Sequence, residues 1–317
     1  MKKALVTGGG GFIGRAVVKE LLARKIDCVV VGRNRYTELE ELGAICRCGD
    51  IRDREFLVAS SRGVDTLFHV ASLTGIWGEW PEYFSVNVQG TENVLFACAE
   101  NSIPRLIYTS TPSVVFNRTD IQDGDETLPY PDNFLCHYAK TKALAEKMVL
   151  HADFHSFATC ALRPHLVWGP GDPHLVPRLM ERGRKGQLKI VGDGKNLVDI
   201  SYIDNVAHAH LLAADNLEGP KTASGKAYFI SQGEPVNLWQ WINGLFQYTG
   251  IPQVKNRVPF FIAYAAGTIQ EMIHKRLKPK IEPKMTRFLA EQLAKSHYFS
   301  IDRAKKDLEY VPVVSSE

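Results

Sequence analysis

The sequence predicts a doubly wound α/β fold: a parallel sheet covered by helices, followed by a smaller, mostly helical C-terminal lobe. Three observations predict it. Short apolar, β-branched runs alternate with amphipathic stretches through the first half of the chain. A glycine-rich turn follows the first of these runs directly. After Arg163 the texture changes to helical patterns parted by loops rich in Gly and Pro. Near-continuous apolar strands separated by helices belong to parallel sheets buried on both faces. Ligands of such sheets collect at the carboxyl ends of the strands.

Six runs read as strands: Ala4–Thr7, Cys28–Val31, Ala44–Cys48, Thr66–Val70, Leu106–Thr109 and Thr159–Leu162. Between them, Ala16–Ala23, Val86–Ala99 and Ala139–His151 carry helical patterns, and His174–Lys185, Asp204–Ala214 and Leu238–Tyr248 follow. Residues 1–170, with 196–230 returning to them, are expected to form the sheet domain; 171–195 and 231–317 form the lobe.

Composition narrows the function classes. Of 317 residues, 45% are hydrophobic and 23% charged, and the net charge is only +3, so nucleic acid is a poor partner. Six scattered cysteines read as reduced, buried thiols of a cytosol-facing, cytoplasmic protein, with no metal site expected. The start, Met-Lys-Lys, runs straight into a strand with no signal peptide expected before it. Val258–Met272 is too short and too interrupted to span a membrane. It reads either as a helix packed on the core or a second subunit, or as one lying at a membrane surface with the basic end, 275–280, on the headgroups.

The glycine turn carries the first chemistry. Thr7 is followed by Gly8, Gly11 and Gly14 at three-residue spacing, and a helix opens at Phe12 and Ile13. Gly8 permits the tight turn, Gly11 lets backbone approach a pyrophosphate, and Gly14 lets the helix lie close on the strand. Helix N–H groups then face the phosphates. The second strand ends in Gly32-Arg33-Asn34-Arg35, without the acid that usually bonds an NAD ribose. Arg33 can instead hold a 2′-phosphate, so NADP(H) is expected over NAD(H), which remains possible; solvated surface arginines are the alternative. Asp50 and Ile51 are expected near the adenine, and Ala71 and Ser72 near the nicotinamide.

Tyr138 and Lys142 lie one helical turn apart, the only Tyr-x-x-x-Lys pair in the chain, downstream of the hydroxyl cluster Thr109-Ser110-Thr111. Interconverting a ketone and an alcohol needs a proton donor and acceptor at the oxygen. Bringing a tyrosine from about 10 to about 7 requires roughly 4 kcal/mol. An ammonium about 5 Å away, at an effective dielectric near 20, contributes around 3 kcal/mol. Lys142 is therefore expected to supply most of the shift, with Thr111 or Ser110 holding the substrate oxygen.

With these residues stand Gly49-Asp50-Ile51-Arg52-Asp53, HVAS, NVQGTENV at 87–94, YTSTPSVVF at 108–116, RPHLVWGPGD at 163–172 and VGDGKNLVDISYIDNVAHAH at 191–210. On them the chain resembles the extended short-chain dehydrogenase/reductases over nearly its full length. The loop Thr74-Gly75-Ile76-Trp77-Gly78 and the block 172–177 make it most similar to the 3β-hydroxysteroid dehydrogenase branch. The resemblance implies a Rossmann domain and Thr111 as the catalytic hydroxyl. It also implies Pro164 among the cofactor-binding residues, Thr74, Trp77 and Thr111 toward a small apolar, steroid-like or long-chain 3-oxo substrate, and a homodimer through Val86–Ala99 and Ala139–His151. Sugar-nucleotide epimerases, the runner-up, usually carry Arg where this chain has Val198. A dinucleotide-sensing regulator is the alternative of another class. Relatives continue past VPVVSSE into another helix, so the end at Glu317 is expected to leave the lobe short.

Overall fold

The computed structural model describes residues 1–315. Seven strands form the central sheet: β1 (Lys3–Thr7), β2 (Asp27–Gly32), β3 (Ile45–Cys48), β4 (Thr66–His69), β5 (Arg105–Thr109), β6 (Ala158–Pro164) and β7 (Lys226–Ile230). Their order is β7-β6-β5-β4-β1-β2-β3, and every neighbouring pair is parallel. The doubly wound expectation therefore holds. The seventh strand is additional to the six expected runs.

Alternation along the strands divides the core. Ala4, Val6, Cys28 and Val30 pack on one face, against Val17 and Val18 of α1 (Phe12–Ala23) and against α4 (Ile203–Glu218). Leu5, Val29 and Val31 pack on the other, against Val94, Ala97 and Cys98 of α2 (Gly90–Glu100) and Ala145 and Val149 of α3 (His137–His151). Adjacent Cβ atoms leave a strand on opposite sides, which is why a continuous apolar run serves both layers.

Three expectations are corrected. β3 is an exposed edge, with Ile45 49% exposed, because nothing covers a terminal strand beyond its one neighbour. The cysteines are not all buried: Cys46 is half-buried and Cys48 exposed on that edge. The pattern over 86–99 is not one regular helix, since a π-helical turn over Phe84–Gln89 precedes α2. Buried Asn87 lies in that turn, accepting from Leu73 N and donating to Leu73 O and to Thr141 Oγ1. Three long-range bonds fix this irregular turn in place, as is common for π-turns near functional sites.

Beyond the sheet, Val191, Val198, Trp239, Ile242 and Phe246 form a separate core with α5 (Phe260–Leu277) and α6 (Arg287–Ala294) packed beside it. Val198 is fully buried there, paired with Val236. No helix among the described residues is long and apolar enough to cross a membrane.

Candidate active site

β1 and β4 are neighbours whose onward connections run in opposite directions, and a crevice opens beyond their ends, where Thr7 pairs with His69. Gly8 has φ +67°, and a Cβ there would sit 2.8 Å from the Ala71 backbone. A Cβ on Gly14 would sit 2.2 Å from the Gly8 carbonyl oxygen. Gly11 precedes α1 and makes no side-chain cap, so the first amides of the helix stay available to an anion. These residues fit a dinucleotide pyrophosphate, because only a chain without side chains at these points leaves the backbone bare.

The cleft, about 540 Å³, is lined by Gly8, Gly11, Phe12, Ile13, Gly14, Arg33, Asp50, Ile51, Ala71, Ser72, Thr74, Thr111, Tyr138, Lys142 and Pro164. Every residue named from the sequence for catalysis or binding lines it except Trp77. The Trp77 indole N–H donates to Pro279 O at 2.8 Å and its ring meets His274, so it ties the loop after β4 to the end of the Phe260–Leu277 helix rather than lining the cleft.

The charges around the end of the cleft beside β2 and β3 are mostly spoken for. Arg52 grips Asp50 through a two-point fork at 2.9 and 2.7 Å, which holds the Asp50 carboxyl below its usual range. Arg35 pairs with Glu40 at 2.8 Å and Arg15 with Glu38 at 2.5 Å. Among the described residues Arg33 has no carboxylate at ion-pair distance, and it is exposed at the cleft. Tyr36, not anticipated from the sequence, lies over Gly10 and Gly32, where added Cβ atoms would fall 2.0 and 2.5 Å from it.

At the other end, β5 delivers Thr109, Ser110 and Thr111, all buried, and Thr111 Oγ1 accepts from Ser113 N to close a short turn. α3 delivers Tyr138, Lys142 and Glu146 at four-residue intervals, one face of a helix. Lys142 is 2% exposed. Its Nζ donates to Thr109 O at 2.5 Å and stands 4.0 Å over the Tyr108 ring. Behind it, Arg163 on β6 forks onto Glu146 at 2.6 and 3.0 Å, and Tyr130 Oη donates to the same carboxylate at 2.7 Å. This network was not legible in the sequence, because its members lie on separate segments.

Burial dominates the electrostatics of the pair. Burial pushes Lys142 down to about 7, with the Glu146 charge opposing. Packing around the phenol pushes Tyr138 up to about 12, and a hydrogen bond with Thr111 only partly offsets it. Burial is the largest influence on the phenol. A phosphate-bearing ligand adds negative charge to the cleft and favours the charged lysine. Because a lysine near 7 is mostly neutral at pH 8, binding of a nicotinamide dinucleotide there is expected to take up a proton, and uptake fades below pH 6 where it is already charged. Calorimetric titration in buffers of different ionisation enthalpy measures this; proton release at pH 8 would contradict it.

The 3-beta hydroxysteroid dehydrogenase/isomerase family matches residues 5–260. The 2-alkyl-3-oxoalkanoate reductase of Shewanella oneidensis is 47% identical, over 99% of this chain and 83% of its own. The human sterol-4-alpha-carboxylate 3-dehydrogenase, decarboxylating, is 35% identical over 100% of this chain and 86% of its own. Among solved structures, that of gox2253 superposes with a TM-score of 0.79 at 27% identity, covering 98% of this chain and 94% of that one.

Proposed function

The chain belongs to the 3-beta hydroxysteroid dehydrogenase/isomerase family and is an NAD(P)-dependent oxidoreductase acting on CH–OH groups, and from that premise we propose that it interconverts a ketone and a secondary alcohol on a long-chain 3-oxo acid with NADP(H). The observation that carries the reading is the single cleft in which Thr111, Tyr138 and Lys142 meet the glycine turn. The 47% identity to a 2-alkyl-3-oxoalkanoate reductase, against 35% to a sterol dehydrogenase, favours a long-chain acid over a steroid. Residues 171–195 and 231–317 are assigned to the substrate lobe. Leu166, Val167, Pro173 and Leu175 offer an apolar wall to the cleft there, and Thr74 its polar rim. The same reading carries a homodimer through α2 and α3.

A bound reduced nicotinamide supplies the hydride. The chain handles the oxygen and the proton. The Thr111 hydroxyl donates to the ketone oxygen and orients it, and the Tyr138 hydroxyl gives its proton to the forming alkoxide. Lys142, anchored on Thr109 O, stabilises the phenolate left behind.

Turnover of a 2-alkyl-3-oxoalkanoate, followed by loss of NADPH absorbance with NADH and a 3-keto steroid in parallel, tests the proposal. A clear NADH preference removes the cofactor reading, and turnover of the steroid alone removes the acid. Arg33 carries the discrimination, so Arg33→Ser is expected to lower the NADPH/NADH ratio of kcat/KM by about 10- to 100-fold, the loss of one charge-assisted contact. An unchanged ratio would take Arg33 out of the site.

A further inference from the structure

Helix α5 buries Ala263, Gly267 and Glu271 against α6, so closely that a Cβ on Gly267 would meet the Thr286 backbone at 2.7 Å. Its opposite face is bare. Phe261 is 70% exposed, Ile269 58%, Met272 68% and Leu277 71%, with Ile262 and Ile273 beside them. Positions 261, 262, 265, 269, 272, 273 and 277, all apolar, lie on one face along a helix of 18 residues.

Both ends of the stripe are cationic. Lys255 and Arg257 are exposed before it, and Lys275, Arg276, Lys278 and Lys280 at and after its last turn. Among the described residues none of these is within ion-pair distance of a carboxylate. The nearby acids are engaged elsewhere, Glu271 with Arg287 and Glu282 with Arg178.

We propose that this face of α5 seats in the plane of an anionic membrane surface, its apolar stripe among the upper acyl chains and its two basic ends on headgroups. A helix with an apolar face and flanking Lys and Arg has the chemistry of an interfacial helix. A second copy of the chain fits poorly. Stacking two stripes in either direction sets the basic end of one against a basic end of the other, and like charges oppose that contact. The Trp77–Pro279 bond links the basic end to the loop bearing Thr74 at the rim of the cleft. The seat itself does not depend on the substrate reading.

Co-sedimentation of the intact protein with phosphatidylcholine vesicles, with and without 30% phosphatidylglycerol, tests it. Binding is expected to the anionic vesicles only, reversed by salt. Ile269→Glu/Met272→Glu is expected to weaken it at least about tenfold. Lys275→Gln/Lys278→Gln/Lys280→Gln is expected to weaken it on the order of 100-fold. Both variants should keep the wild-type circular dichroism and their turnover of a water-soluble ketone. Equal partition onto neutral and anionic vesicles, or full binding by either variant, overturns the proposal. So does a wild-type dimer in sedimentation that Ile269→Glu/Met272→Glu dissolves, since the face would then belong to a second copy. Vesicle binding is read without turnover, so a failed substrate assay leaves it standing.

Discussion

Tyr138→Phe is expected to lower kcat by about 10²- to 10⁴-fold, the span that a positioned general acid contributes. The substitution removes one hydroxyl and keeps the ring. Tyr138 faces the cleft from the first turn of α3, and the hydroxyls that could replace its function, Ser110 and Thr111, are held by β5 and the turn after it. Neither sits next to the buried ammonium in the helical register that Tyr138 shares with Lys142. Because the pyrophosphate cradle lies at the opposite end of the cleft, NADPH affinity, read by quenching of protein fluorescence, should change by less than about threefold, under one kcal/mol. Turnover within tenfold of wild type would exclude Tyr138 as the proton donor.

Glu146→Gln should cost about 3–5 kcal/mol of folding stability, because it leaves the buried Arg163 guanidinium without its countercharge. Glu146 is 0% exposed and Arg163 2%. The lost carboxylate also orients Tyr130 and supports the charge on Lys142. In any variant that still folds, the lysine pKa moves further below 7. The alkaline limb of the kcat profile then shifts to lower pH, since catalysis needs the ammonium. Urea unfolding of Glu146→Gln, Arg163→Met and the pair together separates the effects. The double variant should recover most of either single loss, because a neutral Gln–Met pair leaves no charge buried alone. Losses that simply add would mean that the two side chains act independently.

How much of this was legible in the sequence depends on whether the responsible contacts were local. The glycine turn and the Tyr138–Lys142 spacing are local, and reading them needed only the three- and four-residue periods of a turn and a helix. The strands β1, β2, β4, β5 and β6 are apolar runs bounded by punctuation, and they were found within one or two residues. β7 was not found as a strand. Its five residues lie in a Gly-rich region, and their apolar character is explained only by pairing with β6. The Tyr36 lid over Gly10 and Gly32, the Asn87 clamp and the Glu146–Arg163 fork are tertiary contacts between separated segments, and no period records them. Trp77 shows the converse. Its place in a loop that resembles the family suggested substrate contact, yet its indole spends its hydrogen bond on Pro279.

The interior position of β1 has a consequence for how the chain acquires its structure. The first strand of this sheet in chain order becomes an interior strand, buried on both faces, and each of its two neighbours must arrive by a crossover. No hairpin joins any pair of strands in this sheet, so none of its ladders can form by local zipping. Folding must close a long loop for every ladder it gains, and the entropy of each closure is lost before its hydrogen bonds form. β1 therefore waits with apolar surface uncovered until α1 and β2, and then β4, reach it. During that interval the chain is most exposed to aggregation.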